Sequence, residues 1–161
     1  MPNPWLTPRT LLSGRTRKQP LATSLGETVQ FLHPKSWAPA KGFANGVAAS
    51  GRQVLVAGQI GWNADQRFES DDFIAQVEQA LANIVAVLAE GGAGPEHLVR
   101  LTWYVTDKRE YLARQAEVGQ AYRRVIGRHF PAMTLVQVAA LLEDRAKVEI
   151  EATAVVPDGS E

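Results

Sequence analysis

The acidic side chains near the C-terminal end of the chain carry its clearest chemical pattern. From Val148 to Val156 the residues alternate: Val148, Ile150, Ala152 and Ala154 point one way, and Glu149, Glu151, Thr153 and Val155 the other. Two carboxylates therefore share one face of a strand. On a face open to water they are ordinary surface charges, whereas against another subunit they need hydrogen bonds or cationic partners. Other reactive groups offer less. His33, His97 and His129 lie far apart with no ligand-type spacing, so no metal site is expected. Cysteine is absent, which excludes disulfides, thiolate nucleophiles and cysteine-ligated zinc or iron–sulfur centres. No Gly-x-Ser-x-Gly elbow occurs. Gly91-Gly92-Ala93-Gly94-Pro95 lacks the Gly-Lys-Ser/Thr ending of a phosphate loop and follows a helical pattern, so it reads as a helix stop.

The elements that must hold these groups follow from periodicity. Phe73, Val77, Leu81, Ile84, Val85 and Leu88 recur at three-and-four spacing, which predicts a long amphipathic helix from Phe73 to Glu90, capped by Ser70, Asp71 or Asp72. Val54-Leu55-Val56-Ala57, preceded by Gly46–Ala49 and Ser50-Gly51, looks like a hairpin. His97 to Thr106 alternates and predicts a strand, with Leu98, Arg100, Thr102 and Tyr104 on one face and Val99, Leu101, Trp103 and Val105 on the other. Asp107 can cap a second helix from about Lys108 to Ile126, with Gly127 as its stop. Thr134–Val138 is a further strand, and Glu143-Asp144-Arg145 a turn before the last one. The order β-β-α-β-α-β-β has few helices for its strands and favours an α+β sheet with helices on one face. The other face then needs burial too, and assembly of a symmetric oligomer would supply it.

Length and composition agree. The 161 residues, 45% hydrophobic and 21% charged, suit one domain with a real core. With 17 basic and 17 acidic residues the formal charge is zero, which gives no long-range field for nucleic acid or anionic membrane. No apolar run approaches the roughly 20 residues that span a bilayer, and a cytoplasmic protein is expected. Residues 1–26 contain Arg9, Arg15, Arg17 and Lys18 and no acid, so the remainder is mildly acidic. Without an apolar helical face, that segment fits a disordered extension better than an organelle presequence. The expected organisation is an extension over 1–26, one domain over 27–157 and a frayed tail over 158–161. Arg114, Arg123, Arg124 and Arg128 cluster on or after the second helix; a solvated face is the commoner meaning of such a cluster than an RNA surface.

The element order, with Ala57-Gly58-Gln59-Ile60, Thr106-Asp107, Pro131-Ala132 and Lys147-Val148-Glu149-Ile150-Glu151-Ala152, resembles the Rid family of enamine/imine deaminases, also called the YjgF/YER057c/UK114 family, from about Lys41 to Val156. The resemblance implies a chorismate-mutase-like α+β fold and a homotrimer with ligand sites in clefts between subunits. It also implies cofactor-independent hydrolysis of a reactive enamine or imine to a carbonyl compound and ammonia. A protonated imine carbon is already electrophilic and needs only an oriented water and a substrate held still. By the same resemblance Glu149 stands at the water-orienting glutamate, and Gly58 and Gln59 belong to the pocket.

Departures from the family pattern bear on the ligand. The deaminating branch reads Pro-Ala-Arg-Ser/Thr, whose arginine grips a substrate carboxylate, but this chain has Pro131-Ala132-Met133-Thr134. Phe43 replaces a tyrosine, Gln115 stands near an asparagine position, Leu135 replaces a frequent cysteine, and Trp62 adds a large ring. The implied ligand is larger or more apolar than 2-iminopropionate. A trimer that binds or senses a small molecule without turnover is the second reading, and an RNA-directed role the third.

Overall fold

The structure, a computed structural model, describes residues 29–159. The expected extension over 1–26 lies outside the described residues. Asp72 starts the first helix, α1 (Phe73–Glu90), by accepting the Ala75 N–H at 3.0 Å, and Gly91 closes it by donating to Leu88 O. The apolar stripe of α1 packs on the sheet: Phe73, Val77, Leu81, Ile84 and Leu88 are buried and Val85 partly so. By length and hydropathy this helix could cross a bilayer, but that stripe is taken up by the sheet beneath it.

Three strands precede α1, and their pairing differs from what the sequence suggested. Val29–Leu32 (β1) pairs antiparallel with Gly46–Ala49 (β2), so β2 forms its hairpin with β1 and not with Arg52–Ile60 (β3). The reason lies at Gly51, which has φ 141° and whose missing side chain lets the backbone lie against Val156 O. That turn hands the chain from β2 to the edge of another sheet.

The main sheet has the order β3-β6-β4-β5, with Leu98–Val105 as β4, Ala132–Gln137 as β5 and Val148–Val156 as β6. The last strand is central: β6 is antiparallel to both β3 and β4, and β5 runs parallel to β4 at the edge. A plain hairpin through Glu143-Asp144-Arg145, which would put Glu149 opposite Val138 and Met133 opposite Ala154, is therefore not formed. Glu149 faces Tyr104 and Ile60, and Met133 faces Leu101. The alternation in β6 holds as expected, with Val148, Ile150, Ala152 and Ala154 buried. In β4 the register shifts between Leu98 and Arg100, so Leu98 joins Leu101, Trp103 and Val105 in the core, which corrects its expected face.

The second helical stretch is also divided. Lys108–Ala113 (α2) and Gln115–Val125 (α3) meet at Arg114, which leaves helical geometry at φ −118°, ψ 22°. The break aims the Arg114 guanidinium between two carboxylates, Asp72 at 2.6 Å and Glu117 at 2.7 Å. This ties the start of α3 to the cap of α1, and both helices cover the same face of the sheet. The opposite face is only partly covered; Leu55 on β3 is 73% exposed there. The result is the expected α+β architecture with a mixed sheet and helices on one side.

One buried polar side chain locks α1 to the sheet. Gln76 donates to Ser70 O at 3.1 Å and Arg145 O at 3.0 Å, and its Oε1 accepts the Lys147 N–H at 2.8 Å. These bonds fix the chain immediately before β6, and so set the register that carries Glu149.

Candidate functional site

The expected site residues fall into two groups on opposite faces of the sheet. Glu149 and Gly58 come together on the face away from the helices, while Gln59 pairs with Ile150, whose side chain points to the core. The pairing of β3 with β6 slips between Val56 and Gln59, a bulge that Gln59 steadies by donating from Nε2 to Ala57 O at 3.1 Å. Gly58 lies in this bulge directly under the Glu149 carboxylate; a Cβ there would overlap Oε1 and sit 2.8 Å from Cδ. Glu149 is thus half-buried, and among the described residues it has no hydrogen-bond or ion-pair partner.

Beside Ile60, its neighbours on that face carry polar groups. Tyr104, opposite Glu149 in register, donates its hydroxyl to Glu151 at 3.2 Å. Desolvation first, and then this hydrogen bond, push the Tyr104 phenol above its ordinary value, so it stays a donor. Thr102, next to Glu151 across the ladder, is buried and its hydroxyl has no partner among the described residues.

Phe43, Met133, Leu135 and Gln115 come together on the helix face, around a cleft of about 670 Å³ between α3 and the β5 edge. The floor is Trp103 on β4 with Met133 and Leu135 on β5, adjacent because Leu101 pairs with Met133 and Trp103 with Leu135. Phe43 reaches the cleft because its segment docks beside β5: Ala44 donates to Pro131 O at 2.9 Å and bridges to Ala132. The helical wall is Gln115, Val118, Gly119 and Arg123. Tyr122 stacks on Phe130 at 5.4 Å with 14° between the rings, and its hydroxyl is committed to His129 O at 2.6 Å. Burial keeps that phenol well above its ordinary value.

Trp62 joins neither group. It packs on Phe68 at 6.3 Å, and its carbonyl accepts Asn83 Nδ2 at 2.8 Å near α1. Sequence reasoning missed Trp103, Arg123 and Lys41 as residues of the cleft. Their signals were weak, since Trp103 sits in an ordinary buried alternation and the two cations look like solvated surface.

The remaining candidates are separately occupied. His33 contacts Trp37 O and Asn45, His97 accepts the Gly94 N–H, and His129 contacts Leu98 O at 2.6 Å. Of the clustered arginines, Arg114 holds Asp72 and Glu117, and Arg124 holds Glu78 at 2.7 Å, so half the set is already neutralised.

The family model described as endoribonuclease L-PSP matches residues 34–156. The chain is 34% identical over 105 residues to a RutC family protein of Haemophilus influenzae, a match covering 65% of this chain and 80% of that one. It is 33% identical over 108 residues to the 2-iminobutanoate/2-iminopropanoate deaminase of Escherichia coli K12, with the same coverage of 65% and 80%. Among solved structures, a Rid-family protein of Yersinia pestis superposes with TM-score 0.72 at 34% identity, over 81% of this chain and 100% of that one. The YjgF gene product of E. coli gives TM-score 0.56 at 32% identity, over 70% and 87%.

Proposed function

The chain belongs to the Rid family, and from that premise we propose that it hydrolyses a reactive imine or enamine to a carbonyl compound and ammonia. The site is a cleft between subunits of a homotrimer, and the substrate is larger or more apolar than 2-iminopropionate. The observation that carries this reading is the separation of the two residue groups. Glu149, held by the Gly58 bulge, has an unpaired carboxylate on one face, while the Met133 cleft opens on the other. One chain cannot bring both to one substrate, but two neighbouring subunits can, each lending one face.

In the proposed reaction the Glu149 carboxylate orients a water and accepts its proton as the oxygen attacks the imine carbon. The nitrogen takes up a proton and leaves as ammonia when the carbinolamine collapses to the carbonyl. The cleft holds the substrate body still, which lowers the entropic part of the barrier. A cytoplasmic setting suits an enzyme that meets short-lived imines where they are released. A trimer that only binds a small molecule is the second reading, favoured by Met133 in place of a cation. An RNA-directed role gains little support, because Arg114 and Arg124 are already paired with carboxylates.

The test is subunit complementation. Glu149→Gln and Gly119→Trp chains, the second with a ring filling the cleft, should each be inactive on freshly generated imines as pure assemblies. Mixed by unfolding and refolding together, they should regain activity at clefts built from one intact face of each. Mixtures as inactive as the parents would end the intersubunit reading. Wild-type protein that leaves every imine decaying at the buffer rate would end the hydrolase reading.

A further inference from the structure

We infer that the cleft beside β5 takes an organic acid with a flat aromatic body, and that Arg123 of α3, replacing the cation absent at position 133, is its carboxylate-reading residue. This rests on the proposed function only for the identity of the cleft as the ligand site, not for turnover.

The walls argue for the body of the ligand. Phe43, Trp103 and the stacked pair Tyr122–Phe130 present ring surface from three directions, and Met133 adds a polarizable apolar floor.

The charges argue for its head. Gln115, Gly119 and Arg123 follow one another at four-residue spacing along α3, so they share a column facing the cleft. Gly119 leaves space in that column, and the Arg123 guanidinium lies over it, Nη1 3.5 Å from where a Cβ would be. Arg114 and Arg124 on the same stretch each hold carboxylates, whereas among the described residues Arg123 has none. A second cation, Lys41, comes from the segment that carries Phe43. No acidic side chain lines the cleft among the described residues.

Trp103 is only 4% exposed, and its indole N–H is buried without an acceptor among the described residues. A buried donor left unpaired is costly, so Trp103 is a point of strain in the cleft floor.

Calorimetric titration of the full chain with phenylpyruvate, 2-oxobutanoate and phenylacetamide tests the inference. The first probe carries both ring and charge, and each of the others lacks one of them. Phenylpyruvate should bind at least about tenfold more tightly than either, as expected for one charge-assisted contact. Arg123→Met should remove about that factor, Arg123→Lys should restore part of it, and Arg124→Met should leave it intact. Equal binding of the neutral amide, unchanged affinity in Arg123→Met, or no binding of phenylpyruvate at millimolar concentration would each overturn the inference. An imine-turnover assay on the same wild-type preparation separates the two proposals. Charge-dependent binding without imine turnover in the wild type defeats only the hydrolase reading, and turnover with Arg123-independent binding defeats only this one.

Discussion

Gly58 and Glu149 occupy one shared volume: the carboxylate of Glu149 fills the space that any side chain at position 58 would need. The close approach arises from the β3 bulge, which brings the Gly58 backbone under the side chain of the neighbouring strand β6. Gly58→Ala should therefore displace the carboxylate while the core on the other face stays packed. The expected result is imine hydrolysis as low as in Glu149→Gln, with a stability loss of about 0.5–1.5 kcal/mol for forcing the Glu149 side chain out of its rotamer. In a Glu149→Ala background the same methyl has room, and its stability cost should fall to nearly nothing. A double-mutant cycle by urea unfolding measures the difference, and additive costs would mean the two residues do not share that space.

Gln76 makes three hydrogen bonds from a buried position on α1, two to carbonyls and one from the Lys147 N–H. Gln76→Leu fills a similar volume but leaves those backbone groups buried and unpaired. It should cost about 2–4 kcal/mol, more than a surface glutamine substitution by several-fold. Because the bonds fix the chain just before β6, amide exchange should also rise at Lys147 and Val148. A loss below about 0.5 kcal/mol would show that water replaces the bonds.

The sequence was most informative where periodicity and burial coincide. The stripe of α1 and the alternation of β6 could be read directly because each buries one face, which leaves only one register. Pairing between strands was less legible. Nothing local in Thr134–Val138 shows that it joins β4 in parallel and leaves β6 at the centre, because that choice is made by crossover geometry and not by side-chain pattern. The same holds for Gly51, whose φ 141° sends β2 away from β3 although glycine there fits a hairpin equally well. The break at Arg114 depends on Asp72, 42 residues earlier, which no helical period records. Candidate site residues were found by family resemblance, but their division between two sheet faces needed the strand order. Trp103 went unnoticed because its orphan N–H is visible only in three dimensions.

Acid should weaken the protein through Arg114. Its hydrogen bond, and then the Ala75 N–H, hold the Asp72 carboxyl below the usual range, and it lowers Glu117 in the same way. Both carboxyls therefore have folded values below their unfolded ones, so their contribution is complete above about pH 4–5 and is lost as pH falls through the lowered values. Arg114→Met should be less stable than wild type at pH 7, and the gap should narrow as pH falls below about 4. Urea unfolding across that range measures it. A gap that stays constant would mean Arg114 acts by packing alone.

Met133 is the position where a new cation would face the existing one. Its side chain lies on the floor of the cleft, across the ladder from the buried Leu101, in the same cavity as Arg123. In Met133→Arg the stem can lie along the apolar floor, but two guanidinium groups then share one cleft, and among the described residues no carboxylate of the same subunit divides them. The free protein should lose about 1–3 kcal/mol, as expected for a partly buried charge without a partner in its own subunit. A small acid now gains a fork on the floor, so 2-oxobutanoate should bind about tenfold more tightly and stabilise the variant more than the wild type. Phenylpyruvate should bind more weakly, because the arginine occupies the space its ring needs. Calorimetry with both acids and thermal melts with and without them measure this exchange. If the small acid gains nothing, the missing charge at position 133 is not what excludes it, and the aromatic walls contributed by Phe43 and Phe130 become the cause to test next.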